Sequence, residues 1–329
     1  MRKNVPFAEK DGKNARCWIC PHNCRIKPGG HGVCGVRIND GGQLIATNYG
    51  EVSSAAMDPI EKKPLYHFFP GRSILSIGTI GCNFSCGFCQ NWNISRGEAE
   101  TQYVSPDRLL ELANEYMRQG SIGVAYTYSE PLMWYEYVAD CAPRLADQGL
   151  RNVLVTNGYI NPEPLARILP DIHAVNIDLK AFTEAFYHKH CRARLDPVKQ
   201  VIEMCTEHIH VELTTLVIPG ENDEPEEIDE LARWVASVNS EIPLHLSRYH
   251  PAYEFEMPPT PLTTLQQARE AAQVHLKYVY VGNAGGFDNN TYCSGCGEVL
   301  VERLGYHTRK VHFSGGVCDV CERPAAIVE

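Results

Sequence analysis

No stretch of this chain approaches the length of apolar sequence that a membrane helix needs, about 20 residues. The N terminus has no apolar core of a secretory leader either: Arg2 and Lys3 are followed by Pro6, Glu9, Lys10 and Asp11. No membrane partner and a cytoplasmic location are therefore expected. An excess of positive charge is also missing. The 30 Lys and Arg residues face 40 Asp and Glu, a formal net charge of −10. Residues 71–282 hold 16 basic against 28 acidic residues and residues 283–329 hold 4 against 6, while residues 1–70 reverse the balance with 10 against 6. An acidic middle and tail offer no electrostatic footprint for nucleic acid, so no nucleic-acid partner is expected. Fixed-period repeats and low-complexity tracts are lacking too. With 44% hydrophobic and 21% charged residues, 329 residues suit a globular enzyme with a sizeable core.

Cysteine is abundant, with 14 in the chain. Without a secretory leader these do not read as a disulfide framework. Eleven fall into three groups: Cys17, Cys20, Cys24 and Cys34; Cys82, Cys86 and Cys89; and Cys293, Cys296, Cys318 and Cys321. Cys141, Cys191 and Cys205 stand apart. The middle group lies in Gly81-Cys82-Asn83-Phe84-Ser85-Cys86-Gly87-Phe88-Cys89 and supplies three thiolates. A four-iron cube held by three cysteines keeps one iron free for an outside molecule, whereas electron-transfer cubes are closed by four.

The cysteine groups divide the chain into a Cys-rich N-terminal segment (1–70), a middle (71–282) and a C-terminal ribbon-like segment with four cysteines (283–329). The middle alternates short β-branched runs with helical patterns. Strands are predicted at Ser73–Thr79, Ile122–Thr127, Arg151–Thr156, Ala174–Leu179, His210–Ile218, Pro243–Ser247 and Tyr278–Val281. Helices are predicted between them, with Ser105-Pro106 and Thr260-Pro261 as capping starts. Repeated strand–helix units imply an α/β fold with parallel strands and right-handed crossovers. Six or seven units are too few for a closed eight-fold barrel. The cysteine loop follows the first strand, and several other strands end in polar residues: Ser129 and Glu130; Thr156 and Asn157; Asp178 and Lys180; Arg248 to His250. Ligands sit at such carboxyl ends.

The C-x3-C-x2-C spacing, with Phe88 before the last cysteine, resembles the signature of the radical S-adenosylmethionine (radical SAM) superfamily. Asp58-Pro-Ile-Glu-Lys-Lys-Pro-Leu65, the extension Gln90-Asn91-Trp92 and the strand ends resemble the pyruvate formate-lyase activating-enzyme-like group. The Cys-rich head and tail look most like the AmmeMemoRadiSam-system radical SAM enzymes. The resemblance implies a partial (β/α)6 TIM-type barrel, open on one side. It implies a 4Fe-4S cluster on Cys82, Cys86 and Cys89 that cleaves S-adenosylmethionine reductively, giving a 5′-deoxyadenosyl radical that abstracts hydrogen from an unidentified substrate. Phe88 would shield the cluster near the adenine. Ser129 and Glu130 would receive the amino group, and Thr156, Asn157 and Asp178 would line the methionine and ribose end. Lys180 and His250 would be further contacts, and Val217–Gly220 would pack along the adenine. Activating enzymes proper have Asp where Val155 stands and Arg where Thr214 stands, so a cation-assisted site is not expected. Implied partners are a one-electron donor of flavodoxin or ferredoxin type, and either AmmeMemo-system proteins or a glycyl-radical enzyme.

The tail pattern, C-x2-C then C-x2-C twenty-one residues on, reads as a zinc ribbon, with a single iron or an auxiliary cluster as alternatives. For Cys17, Cys20, Cys24 and Cys34, zinc and a second cluster stand level. His188, His190 and Cys191 read as a solvated loop after the fourth strand, and Trp92 as packing around the cube. A non-catalytic metal-binding adaptor or electron carrier would explain the cysteines but not Glu130, Asp178 and Lys180.

Overall fold

In the computed structural model, which describes residues 2–97 and 99–329, the centre is one eight-stranded sheet. Its strands in chain order are β1 (Ser54–Pro59), β2 (Ser73–Gly78), β3 (Ser121–Thr127), β4 (Arg151–Thr156), β5 (Ala174–Asp178), β6 (His210–Val217), β7 (Leu244–Arg248) and β8 (Val279–Gly282). They lie side by side in that order. β2 to β8 run parallel, and β1 pairs antiparallel with β2. Six helices cross over between them: α1 (Pro106–Met117), α2 (Tyr135–Ala146), α3 (Pro162–Ile168), α4 (Leu195–Thr206), α5 (Pro225–Asn239) and α6 (Leu262–Gln273). The result is a partial barrel whose two edge strands, β1 and β8, do not meet among the described residues. No helix there is long and apolar enough to cross a membrane.

The helices begin where local chemistry dictates. Ser105 Oγ accepts the Arg108 amide at 3.1 Å, with Pro106 at the first helical position. Thr260 does not cap α6. Its hydroxyl donates to the Val217 carbonyl at 2.7 Å and accepts the Tyr249 amide at 3.0 Å, tying β6 to the segment after β7. Within the sheet, Gly123 has Arg151 O only 2.0 Å from where a Cβ would stand, so the bulge between Ser121 and Val124 admits no side chain there.

Ser54–Pro59 and the segment behind it, which the cysteine grouping assigns to the head, belong structurally to the barrel. Ile60, Leu65 and Phe68 pack with Ile74, Ala125, Val153 and Ala174 to close the floor. The polar centre of the floor is Glu212, fully buried on β6. Its carboxylate accepts the amides of Tyr66 (2.9 Å) and His67 (2.7 Å) and bonds His245 Nε2 (2.7 Å) and His210 Nε2 (2.9 Å). Burial opposes ionisation, yet the bonds from His210 and His245 hold this carboxyl far below its usual range. Asp58 is likewise driven down, against burial, by Lys62, Lys63 and Tyr128. That network pins Tyr128, which sits at φ +69° immediately before Ser129 and Glu130. The Asp58–Leu65 motif is thus a scaffold for the turn after β3.

Two small sheets form the head, one of Lys3–Asn4, Gln43–Ala46 and Arg37–Asp40, the other of Ala8–Asp11, Asn14–Cys17 and Arg25–Ile26. Val5, Ala15, Ile19, Ile26, Val36 and Leu44 join the main core. The head docks on α2 through Lys3–Asp140 (2.6 Å) and the buried pair Arg37–Glu136 (2.8 Å). In the tail, Thr291–Tyr292, Val299–Leu304 and His307–Lys310 make a three-stranded sheet. Arg303 anchors it by donating to the Tyr66 carbonyl at 2.6 Å.

His67 gives the floor a pH signature. Its Nδ1 donates to the Ala326 carbonyl at 2.7 Å and its Nε2 accepts from the Tyr280 hydroxyl at 2.6 Å. Burial lowers its pKa to about 3. The folded value lies below the unfolded one of about 6.5, so its contribution is complete above that pH and is lost on acidification. Unfolding free energy should drop by about 1.4 kcal/mol per pH unit below about pH 6, from this residue alone. Denaturant titrations of wild type and His67→Gln across this range check it, the variant giving the shallower slope; equal slopes would refute the assignment.

Candidate active site

No helix or strand intervenes between Gly78 and Trp92, so the cysteine loop takes its shape from its neighbours. Ser85 donates its amide to the Cys191 carbonyl (3.1 Å), Gly87 O accepts the Glu254 amide (2.8 Å), and Gly81 donates to Ile94 O (3.1 Å). Gly81 stands at φ +86°, where a Cβ would lie 2.7 Å from the Cys34 carbonyl, so the loop rests directly on the head. Each of the three sulfurs has a polar neighbour. Cys82 Sγ accepts the Phe84 amide (3.4 Å) and Asn157 Nδ2 (3.7 Å), Cys89 lies 3.5 Å from Ser95 Oγ, and Cys86 lies 3.8 Å from Cys191 Sγ.

All three cysteines open into one cavity at the carboxyl ends of the strands, enclosing about 910 Å³ including its mouth. Phe88, Ser129, Glu130, Thr156, Asn157, Asp178 and Lys180 line it. Glu130 is 1% exposed and nearly saturated. Its Oε1 accepts the Leu132 amide (3.0 Å) and Thr156 Oγ1 (2.5 Å), and Oε2 accepts the Asn157 amide (2.8 Å). Burial raises its pKa to about 7 despite those donors. Ser129 Oγ is buried without a partner. Asp178 and Lys180 pair at 2.8 Å across the wall. Burial works against the ammonium, but Asp178 and Cys86 keep it protonated to above its ordinary range. Phe88 packs among Phe186, His190 and Phe255.

Several expectations are corrected. His250 is exposed beyond the end of β7, 3.4 Å from the Asn283 carbonyl, and lies outside the cavity lining. On β6 the alternation of side chains turns Thr214 and Leu216 inward, whereas Val217 and Ile218 are buried away from the cavity. Trp92 is 40% exposed and stacks on Tyr253 at 5.3 Å. The run Tyr187–Cys191 is a π-helical turn in which His188 is exposed, as expected, whereas His190 and Cys191 are buried and His190 Nε2 meets Glu221 at 2.7 Å. Sequence reasoning missed Ser95, Ser247 and Asn283 in the lining. Asn283 opens an Asn-Ala-Gly-Gly run just past β8, a polar strand end like the others and so a signal within reach.

The residues fit a three-cysteine cube. Cys191 does not fill the open corner, because 3.8 Å from Cys86 is the spacing of two sulfurs on one metal, whereas a cube spreads its thiolates around four irons. The unpartnered Ser129 hydroxyl marks a place for a further ligand in the same cavity.

Residues 76–235 match the family model described as the radical SAM superfamily. An uncharacterized protein of Methanocaldococcus jannaschii is 40% identical over the whole of both chains. The pyruvate formate-lyase-activating enzyme of Clostridium pasteurianum is 25% identical over 177 residues, 52% of this chain and 72% of that one. This chain belongs to the radical SAM superfamily. Its barrel is also similar to SuiB of Streptococcus suis solved with its precursor peptide SuiA (TM-score 0.53, 13% identity, 69% of this chain and 52% of that one). A radical SAM methyltransferase from Sphaerobacter thermophilus gives a TM-score of 0.52 at 16% identity, over 67% of this chain and 68% of that one. At these identities the structural likenesses speak to the fold alone.

The tail cysteines form a separate centre. Their four sulfurs lie within 4.8 Å of one another, with Cys293–Cys321 at 3.6 Å and Cys296–Cys318 at 3.7 Å. A tetrahedron with metal–sulfur bonds of about 2.3 Å has edges of about 3.8 Å. The set therefore suits one metal ion.

Cys191 yields a specific expectation. Once Cys86 is a thiolate, the Cys191 thiol is the group that can donate to it, and donors to cluster sulfurs raise reduction potentials. With a cluster on the loop, Cys191→Ala would make that cluster harder to reduce with its iron content unchanged, as read by anaerobic potentiometric titration; an unmoved potential would show the contact to be inert.

Proposed function

We propose that this protein is a radical SAM enzyme that removes a hydrogen atom from a small-molecule or protein substrate, using the loop cysteines and the cavity walls as its site. One observation carries the reading: three sulfurs, an unpartnered buried hydroxyl, a buried carboxyl and a Lys–Asp pair converge on one cavity. Cys82, Cys86 and Cys89 would hold the cube. Bound there and reduced by one electron from a flavodoxin- or ferredoxin-type donor, it supplies reductive cleavage of S-adenosylmethionine to methionine and a 5′-deoxyadenosyl radical.

The chain's own residues orient and enclose. Glu130, with Ser129 beside it, faces the cofactor's ammonium; two carboxylate oxygens that already take three donors retain acceptor capacity for one more. Thr156 and Asn157 hold that carboxylate in place, and Asn157 also reaches Cys82. Asp178 and Lys180 take the carboxylate and ribose end. Phe88 excludes water on the apolar side.

Substrate reaches the cavity from the open edge of the barrel. A second cavity of about 560 Å³ lies between β8, the 61–66 segment and the tail hairpin, and shares Thr214, Ser247 and Asn283 with the first. In this reading the tail cysteines bind zinc, four thiolates around a redox-silent ion that stiffens one wall. The similarity to the Clostridium pasteurianum activase supports a second version, generation of a glycyl radical on a partner enzyme. Val155 and Thr214, both in the lining, replace the Asp and Arg of activating enzymes proper and favour the first, with AmmeMemo-system proteins as the partners implied.

Reduced protein incubated anaerobically with S-adenosylmethionine should release 5′-deoxyadenosine and methionine, and Cys86→Ala should release none. Failure of the reconstituted wild type to bind the cofactor would leave a metal-binding adaptor or carrier. A glycyl-radical signal in paramagnetic resonance on mixing with a glycyl-radical enzyme would select the activase version.

Cofactor affinity should also depend on pH. The free Glu130 carboxyl has a pKa of about 7 and must be ionised to meet an ammonium, so affinity falls as pH drops below that value. Isothermal titration between about pH 8 and pH 6 should show the decline in wild type and a flat, weaker response in Glu130→Gln. The same slope in both proteins would remove Glu130 from the ammonium site.

A further inference from the structure

The four head cysteines line one small gap between the head and the barrel, together with Arg37 and Met133. Sulfur spacing separates two kinds of thiolate centre. One metal draws its sulfurs to about 3.8 Å, as the tail shows. A cube places irons and sulfides between its thiolates and keeps them wider apart. Among the described residues, the tail set is the one group of three or more potential ligand atoms that all lie within 4.8 Å of one another. No three of Cys17, Cys20, Cys24 and Cys34 gather that closely, nor do Cys82, Cys86 and Cys89, and yet the four head cysteines surround one space. Like the loop, the head is not drawn in to the spacing of the tail.

Arg37 is the independent observation. It is 1% exposed, its Nη2 is bound to Glu136, and its Nε has no partner although it is buried in the cavity wall. A buried guanidinium with a free donor beside four thiolates offsets the charge of an anionic cluster and can bond one of its sulfurs.

We propose that Cys17, Cys20, Cys24 and Cys34 hold a second 4Fe-4S cluster, closed by four cysteines, through which electrons reach the loop cluster. The contact between the two sites is direct. The Cys34 carbonyl lies against Gly81, and His22 Nε2 donates to the Asn83 carbonyl at 2.9 Å. One electron enters the head from a flavodoxin- or ferredoxin-type donor, which is oxidised by one electron, and leaves for the loop cluster, so the head returns to its starting state. The relay rests on the function proposed above; the cluster itself does not.

The test uses the full chain, purified and reconstituted anaerobically. Wild type should carry about eight irons and eight sulfides, and a variant with Cys82, Cys86 and Cys89 all replaced by Ala should keep about four of each. The variant's reduced paramagnetic signal should ignore S-adenosylmethionine. Zinc in the head and no iron in that variant would overturn the proposal. Should the variant not fold, the reduced wild type decides: two signals, one of which shifts with S-adenosylmethionine, support the second cluster, and a single fully shifting signal with about four irons refutes it. For the relay, Cys20→Ser should lower the ratio of flavodoxin-driven to dithionite-driven reduction of the loop cluster on the order of tenfold. An unchanged ratio would leave a structural cluster and remove the electron route.

Discussion

The cysteine loop has no secondary structure of its own, and everything the site can do depends on its being held still from outside. To hold the proposed cube, three thiolates would have to sit at three of its corners while the fourth stays open, and a loop of this length has many shapes it would adopt alone. Four separate parts of the chain remove that freedom. The head blocks Gly81, the end of β4 reaches Cys82 and Asn83 through Asn157, the π-helical turn takes the Ser85 amide, and the segment after β7 takes the Gly87 carbonyl. Elements far apart in sequence thereby meet at one nine-residue segment. Preorganisation of this kind is what a metal site needs from its surroundings.

Much of this was legible before any coordinates. The strands Arg151–Thr156 and Ser73–Gly78 stand where β-branched runs predict them, because parallel strands buried on both faces leave strong apolar signatures. The residues of the rim were legible for the complementary reason: a polar side chain at the end of such a strand has no place in the core. What stayed hidden depends on direction and on distant partners. His250 and Trp92 follow motifs that point to the site, but backbone turns beyond β7 and before α1 aim them at solvent. The Cys191 thiol could not be placed beside Cys86 from a separation of 105 residues. Nor could Thr260, whose capping pattern is overridden by two backbone partners on other segments.

The same strands build both ends of the barrel, and the period of two explains how. Inward positions on β6 are Glu212, Thr214 and Leu216; the first belongs to the floor, and the other two to the cavity. On β5, Asn176 donates to the Pro64 carbonyl and accepts from Thr214, two residues before Asp178 reaches the cavity. Each Glu212 oxygen already takes two donors and has no spare capacity. The mouth keeps the free Ser129 hydroxyl and a carboxyl whose pKa burial has raised to about 7. A satisfied carboxylate such as Glu212 stabilises; an unsatisfied hydroxyl that opens into a cavity, as Ser129 does, can take a ligand.

The open edge gives the tail its reason for being there. A partial barrel leaves β8 without a neighbour, and unpaired edges invite association with other chains. Here the tail folds back: Val328 pairs with Phe68, Ala326 receives His67, and Arg303 lies over the Tyr66 ring at 4.4 Å. These contacts cover the floor side of the edge and leave the Asn283–Phe287 side facing the second cavity. A hairpin this small cannot hold its shape on its own few buried residues, chiefly Leu300, Val301 and Phe313. Four closely spaced thiolates around one ion would supply the missing rigidity. A metal held there would then shape the wall of the second cavity without lining the cysteine-loop cavity itself.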